Sequence, residues 1–436
     1  MHLSRELIQA VVESKMPPRA FLDFMLHHLL DLCPDCRREW NSYQTSRRDP
    51  VGSYERAFAV LNRLAKEEIP RLQKEELRSA RDYRDLMGLP KDARASRITK
   101  AYRRFRAPAL VERLLKDCRS SVTSRPREAH HFADLAYLVA VQLSGSSVAR
   151  ELQSLSLGEL ANATRAGGDL ISADQRLSQA RKVIKIGGVT DLRVAARLDS
   201  LEGSLRKDQR RFREAREALR RALLLYRSVG EQRQIATVLM KLSIIHSHEG
   251  KYSEAVAVGL QAIELLSQEE DYALYLAARH NLGFYLVEYG QLDEALSIVE
   301  IDERAHRSLG QPLFQIRYTW LRGRIAARAG DLDSAEACFR KTRDTFIAAG
   351  IGYDAALVSL DLALAYLRAN RLEETRALAE EIAPIFQAQD VHREAFAALV
   401  LFRDAATQQT LTVELVRKLW SYFLLARTDK SFRFTI

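Results

Sequence analysis

A short phrase recurs along this chain every 40 residues, and it limits the possible folds more than any other feature. The phrase is a small or polar turn residue, an apolar residue, and a small residue three positions later. Its final residues are Ala173, Ala215, Ala255, Ala295, Ala335 and Thr375, spaced 42, 40, 40, 40 and 40 apart. Twelve positions before each stands another small residue: Ala161, Gly203, Ser243, Gly283, Gly323 and Ala363. A period of this length marks an array of stacked supersecondary units. Two small residues at fixed phase suit a helical hairpin whose helices cross closely, because a bulky side chain there would push the axes apart. Gly or Asn at the turn (Gly168, Gly250, Gly290, Gly330, Asn370) supplies a left-handed residue to end the first helix. Acidic residues just after the turn favour the positive N-terminal end of the second helix.

The rest of the composition agrees with helix. Only 10 prolines and 19 glycines occur in 436 residues, and long stretches lack both. No run approaches the ~20 apolar residues of a membrane helix. His2, Arg5 and Glu6 interrupt the start of the chain, where an export signal would need an apolar core. A cytoplasmic protein is therefore expected. Four cysteines, unevenly placed, are too few for a secreted disulfide framework. The net charge of +10 suggests an acidic partner, or simply solubilising helix faces.

The repeated phrase resembles the tetratricopeptide repeat in a longer, 40-residue form, over residues 151–390 as six units. That resemblance implies an all-α, right-handed superhelical array of helical hairpins. A degenerate hairpin is expected at 107–150, opened by Pro108 and Pro126, and a helical connector at 46–106. A capping hairpin is expected at 391–436, from helices at 391–406 and 411–426.

Residues 1–45 form a separate candidate module. Cys33-Pro34-Asp35-Cys36 places two thiols on a short loop that can grip a tetrahedral ion. His28 or His27, on the preceding helix, can add a nitrogen, and His2 is the only other histidine of the segment. Two reduced cysteines at a helix end are the plainer reading. The segment resembles the zinc-binding anti-sigma domain, in which His2 would match the upstream ligand, His28 the helix ligand, and Cys33 with Cys36 the pair. Four residues separate His28 from Cys33 where that family has three. The resemblance implies a structural Zn2+ and a sigma factor, or another transcription component, as partner. The whole chain is also similar to a group of bacterial proteins that join an H-L-L-x-x-C-P-x-C segment to such repeats.

In tetratricopeptide arrays the first helix of each hairpin lines the concave face. Counted from the small-residue phase, that face takes Met240 with Ile244, His280 with Phe284, Trp320 with Arg324, and Leu360 with Leu364. Lys241, Asn281, Arg317 and Asp361 are their neighbours. Trp320 between Arg317 and Arg324 reads as an anchor for an acidic protein or peptide segment, or as ordinary packing. A basic run from Lys91 to Arg119, with Tyr102 and Phe105 interleaved, offers a nucleic-acid alternative, without any recognisable base-reading motif. Nucleotide-binding, zinc-hydrolase and nucleophile-elbow motifs do not occur. The expected function is a non-catalytic scaffold for a protein or peptide, with a peptide-signal sensor as a further alternative.

Overall fold

A computed structural model describes residues 69–101, 103–122, 125–143, 145–187, 191–307, 312–387, 393–407 and 410–426. The metal candidates His2, His28, Cys33 and Cys36 lie outside the described residues, as do His27, Tyr102 and the whole of 1–45.

All regular structure among the described residues is helical. The helices are α1 (Ile69–Met87), α2 (Lys91–Lys100), α3 (Pro108–Ser121), α4 (Pro126–Ala140), α5 (Ser147–Ala166) and α6 (Leu170–Gly187). Next come α7 (Leu192–Asp208), α8 (Phe212–Ser228), α9 (Gln232–His248), α10 (Tyr252–Glu264), α11 (Tyr272–Tyr289) and α12 (Leu292–Arg307). The series ends with α13 (Pro312–Ala329), α14 (Leu332–Ala348), α15 (Gly352–Arg368), α16 (Leu372–Gln387), α17 (Arg393–Thr407) and α18 (Val413–Ala426). They divide into two compact units. The first takes the described residues up to Ala163, with Gln175–Leu198 and Ser228–Glu231. The second takes Thr164–Asp174, Asp199–Arg227 and the described residues from Gln232 onward.

The repeated phrase makes the same turn each time. Gly168, Arg210, Gly250, Gly290, Gly330 and Asn370 all have positive φ, between 55° and 96°. In each case the following residue donates its N–H to the carbonyl five positions back, as in Lys251 to His246 and Arg371 to Tyr366, at 2.8–3.2 Å. This bond satisfies a carbonyl that the helix end would leave bare. Asp169 and Asp331 then cap the next helix through Ser172 N–H and Ser334 N–H.

The small-residue phase is spent on close contacts. A Cβ on Gly323 would stand 2.9 Å from the Cβ of Cys338 and 2.8 Å from the Phe339 ring, across the α13–α14 hairpin. On Gly203 it would meet Leu219 of α8 at 2.5 Å, and on Gly283 it would meet Leu321 of the next repeat at 2.7 Å. Ser243 instead places its hydroxyl 3.2 Å from that of Tyr285.

In the first unit, α3 and α4 pack as a hairpin, with α1 and α2 against it. Leu86, Ile98, Phe105, Leu114 and Val139 share its core. Glu159 of α5, fully buried, accepts from Arg119 of α3 at 2.6 Å and from Arg197 of α7 at 2.8 and 2.9 Å. Much of the basic run also folds onto its own unit. Arg104 pairs with Asp82 and Asp85, Arg113 with Glu76, and Lys91 with Glu128, while Arg94 caps the carbonyls of Met87 and Leu89. Phe105 is buried rather than presented.

In the second unit each helix from α9 to α17 packs on the next, and α9, α11, α13 and α15 follow one another in contact. The helix α18 packs mainly on α15 rather than on its hairpin partner α17. Leu360, placed by the repeat register on the open face, is fully buried in one core with Leu419 and Phe423 of α18.

Candidate functional site

Three first helices carry corresponding residues 40 positions apart. Phe284, Arg324 and Leu364 form one row, and Glu288, Arg328 and Arg368 form the next, one turn further along. With Tyr252 of α10 and Arg417, Trp420 and Ser421 of α18 they line a cavity of about 440 Å³. Phe339, Asp361 and Ala365 are its buried end, and Arg328, Arg368, Arg417 and Ser421 are its exposed rim.

Arg324 organises this pocket. Its guanidinium donates to both oxygens of Asp361, at 2.9 and 3.1 Å, and to Glu288 at 2.5 Å. Its Cζ lies 4.6 Å from the Phe284 ring centre and 5.1 Å from that of Trp420. Those two rings stack 6.3 Å apart, 12° from parallel. Planar guanidinium against aromatic faces is the arrangement that favours Arg over Lys. Burial opposes the charge on Arg324, but Asp361 and Glu288 outweigh it and hold the group above its usual value. Burial likewise works against the Glu288 carboxylate, and Arg324 with Arg328 outweighs it, keeping that group ionised below the usual range. Arg328 gives Glu288 its second partner at 2.5 Å. Arg368 differs: burial, then the neighbouring Arg328 and Arg417, push its value down.

The residues singled out from sequence fall in different places. Trp320 is half-buried and donates its indole N–H to Asp361 at 2.7 Å, so it supports the pocket without lining it. Arg317 is exposed on α13. Lys241 donates to the carbonyl and hydroxyl of Ser200, at 3.1 and 2.8 Å. The ring of His280 meets Tyr318 edge-on at 5.3 Å, and Asn281 is half-buried. Lys241, His280 and Asn281 do not line the cavity. Sequence reasoning missed Glu288, Arg328 and Arg368, although the same 40-residue phase carried one turn onward would have found them. Arg417 and Trp420 gave no such signal, because α18 stands outside the period.

Among the described residues, no three or more His, Cys, Asp or Glu side chains are grouped to hold a metal ion. No described helix is long and apolar enough to cross a membrane.

These hairpins, turns and small-residue contacts define an all-helical array of tetratricopeptide-like repeats. The sequence profile of the tetratricopeptide repeat matches residues 194–268 and again 320–390. Comparison with curated protein sequences gave no match. Among solved structures, the fold is similar to that of a Rap protein complexed with Competence and Sporulation Factor. That likeness has a TM-score of 0.56 at 12% identity, over 74% of this chain and 87% of the other. The apo form of RapI matches with a TM-score of 0.53 at 12% identity, over 72% and 86%. Aspartyl phosphate phosphatase F from Bacillus subtilis matches with a TM-score of 0.51 at 13% identity, over 89% and 96%.

Proposed function

We propose that the chain is a non-catalytic scaffold whose repeats hold an acidic protein or peptide segment on the first-helix face of α11, α13 and α15. The observation carrying this reading is the basic rim there, where Arg328, Arg368 and Arg417 stand exposed around the aromatic pair Phe284 and Trp420. Aromatic and Arg anchors in a desolvated recess are what concentrate binding energy at interfaces. Arg317, exposed one turn before Trp320, extends the positive face along α13. A scan of immobilised acidic and basic peptides against the full chain tests this. Acidic segments should be retained, and Arg317→Glu should weaken them about tenfold, the scale of one charge contact of about 1.4 kcal/mol. The thermal midpoint should stay put, since the side chain is exposed. Equal retention of both peptide classes, or unchanged affinity in the variant, would rule this face out.

A peptide-signal sensor is the second reading, supported by the fold shared with the Rap protein solved with its factor bound. Residues 1–45 are proposed as a zinc module contacting a sigma factor or similar component, on the Cys33–Cys36 pair and the resemblance of His2, His28, Cys33 and Cys36 to the anti-sigma ligand set. About one equivalent of zinc should accompany reduced protein and be lost in Cys33→Ser with Cys36→Ser. Metal-free protein on elemental analysis would leave two ordinary cysteines.

A further inference from the structure

We infer that the open cavity lined by α11, α13, α15 and α18 binds a compact dianion, a phosphoryl group carried on an organic body. This deepens the acidic-partner reading and rests on it for the source of that body. Four guanidinium groups line the cavity against two carboxylates. Both carboxylates are already engaged, Asp361 by Arg324 and Trp320, and Glu288 by Arg324 and Arg328. Arg368 and Arg417 form no ion pair with any described residue, and two positive charges stand over at the rim.

A single carboxylate would balance one of them, whereas a phosphoryl group near pH 7 carries close to two charges and three acceptor oxygens. Guanidinium forks match that geometry. Burial and the positive charge of Arg328 and Arg417 disfavour the charged form of Arg368, and a dianion between the two rim arginines reverses that sign. At about 440 Å³ the cavity is in the range of small-molecule sites and far larger than phosphate alone requires. Its other walls are Phe284, Trp420 and Tyr252, which suit the organic part of a phosphate ester or the flanks of a phosphorylated side chain.

Calorimetric titration of the full chain distinguishes these sources. The probes are inorganic phosphate, a short acidic phosphoserine peptide, and the same peptide with serine. Both phosphate probes should bind, the phosphopeptide more tightly. Arg368→Gln with Arg417→Gln should weaken them about tenfold or more, since each charged hydrogen bond carries roughly that factor. The same variant should keep or raise the thermal midpoint in phosphate-free buffer, because like charges have been removed. Equal affinity of the phosphoserine and serine peptides, or unchanged phosphate affinity in the variant, overturns the inference while the scaffold reading stands. If inorganic phosphate binds through the two arginines but neither peptide binds better than it, the site is upheld and the acidic-peptide reading falls.

Discussion

Arg324→Ala should loosen α11, α13 and α15 by about 3–5 kcal/mol, the usual cost of leaving a buried ion partner uncompensated. Asp361 loses its paired cation and Glu288 one of its two, and the side chains of Arg324, Glu288 and Asp361 are only 13%, 11% and 7% exposed. The Phe284 and Trp420 rings also lose the cation that lies against both. A repeat array need not unfold in one step, so the measurement is hydrogen exchange of α13 and α15 amides, with α3 and α4 as reference. Faster exchange confined to the second unit is the expected result. Neutralising the carboxylates together, as Arg324→Leu with Glu288→Gln and Asp361→Asn, should recover much of the loss. Native exchange rates in Arg324→Ala would show that the buried pairs contribute little. The wild-type pairing also makes Arg324 a poor probe of partner binding, for which Arg317, Arg368 and Arg417 are the informative positions.

Acid should weaken the first unit through Glu159. Burial alone would raise this carboxyl, but Arg197 and Arg119 outweigh it and bring its value down to about 2 from an ordinary 4.5. The gap corresponds to about 3 kcal/mol. Because the folded value is the depressed one, the contribution is fully present above about pH 4.5. It fades as protons bind the unfolded chain first, and it is gone once pH falls through about 2. Glu159→Gln should therefore cost about 3 kcal/mol at neutral pH and flatten the acid limb of a helicity titration between pH 5 and 2. The same acid midpoint in wild type and variant would assign acid unfolding to other carboxylates.

The repeat period carried most of the fold because a helical hairpin states its needs locally. A left-handed turn residue and two small residues can each be read from one position, and even Arg210, which has no glycine's freedom, takes the turn its phase demands. The site was less legible for two physical reasons. First, register tells which face a side chain leaves from but not what meets it. Trp320 and Arg324 leave α13 towards Asp361 and Glu288, which satisfy them. Second, the basic run at 91–119 looked like an external charge patch, whereas Asp82, Asp85, Glu76, Glu128 and Glu159 pair with four of its ten cations, Lys91, Arg104, Arg113 and Arg119. Charge can be counted from sequence, but pairing depends on the fold.

The position of α18 also sets an order of assembly. Helix pairs in substantial contact elsewhere lie within a hairpin or in neighbouring hairpins, so their loops are short to close. Phe284 and Trp420 stack although they lie roughly 140 residues apart, and a contact of such separation must follow the local ones that reward chain closure sooner. The pocket should then be the last feature to form on refolding and the first to part on heating, with the repeats beneath it still intact.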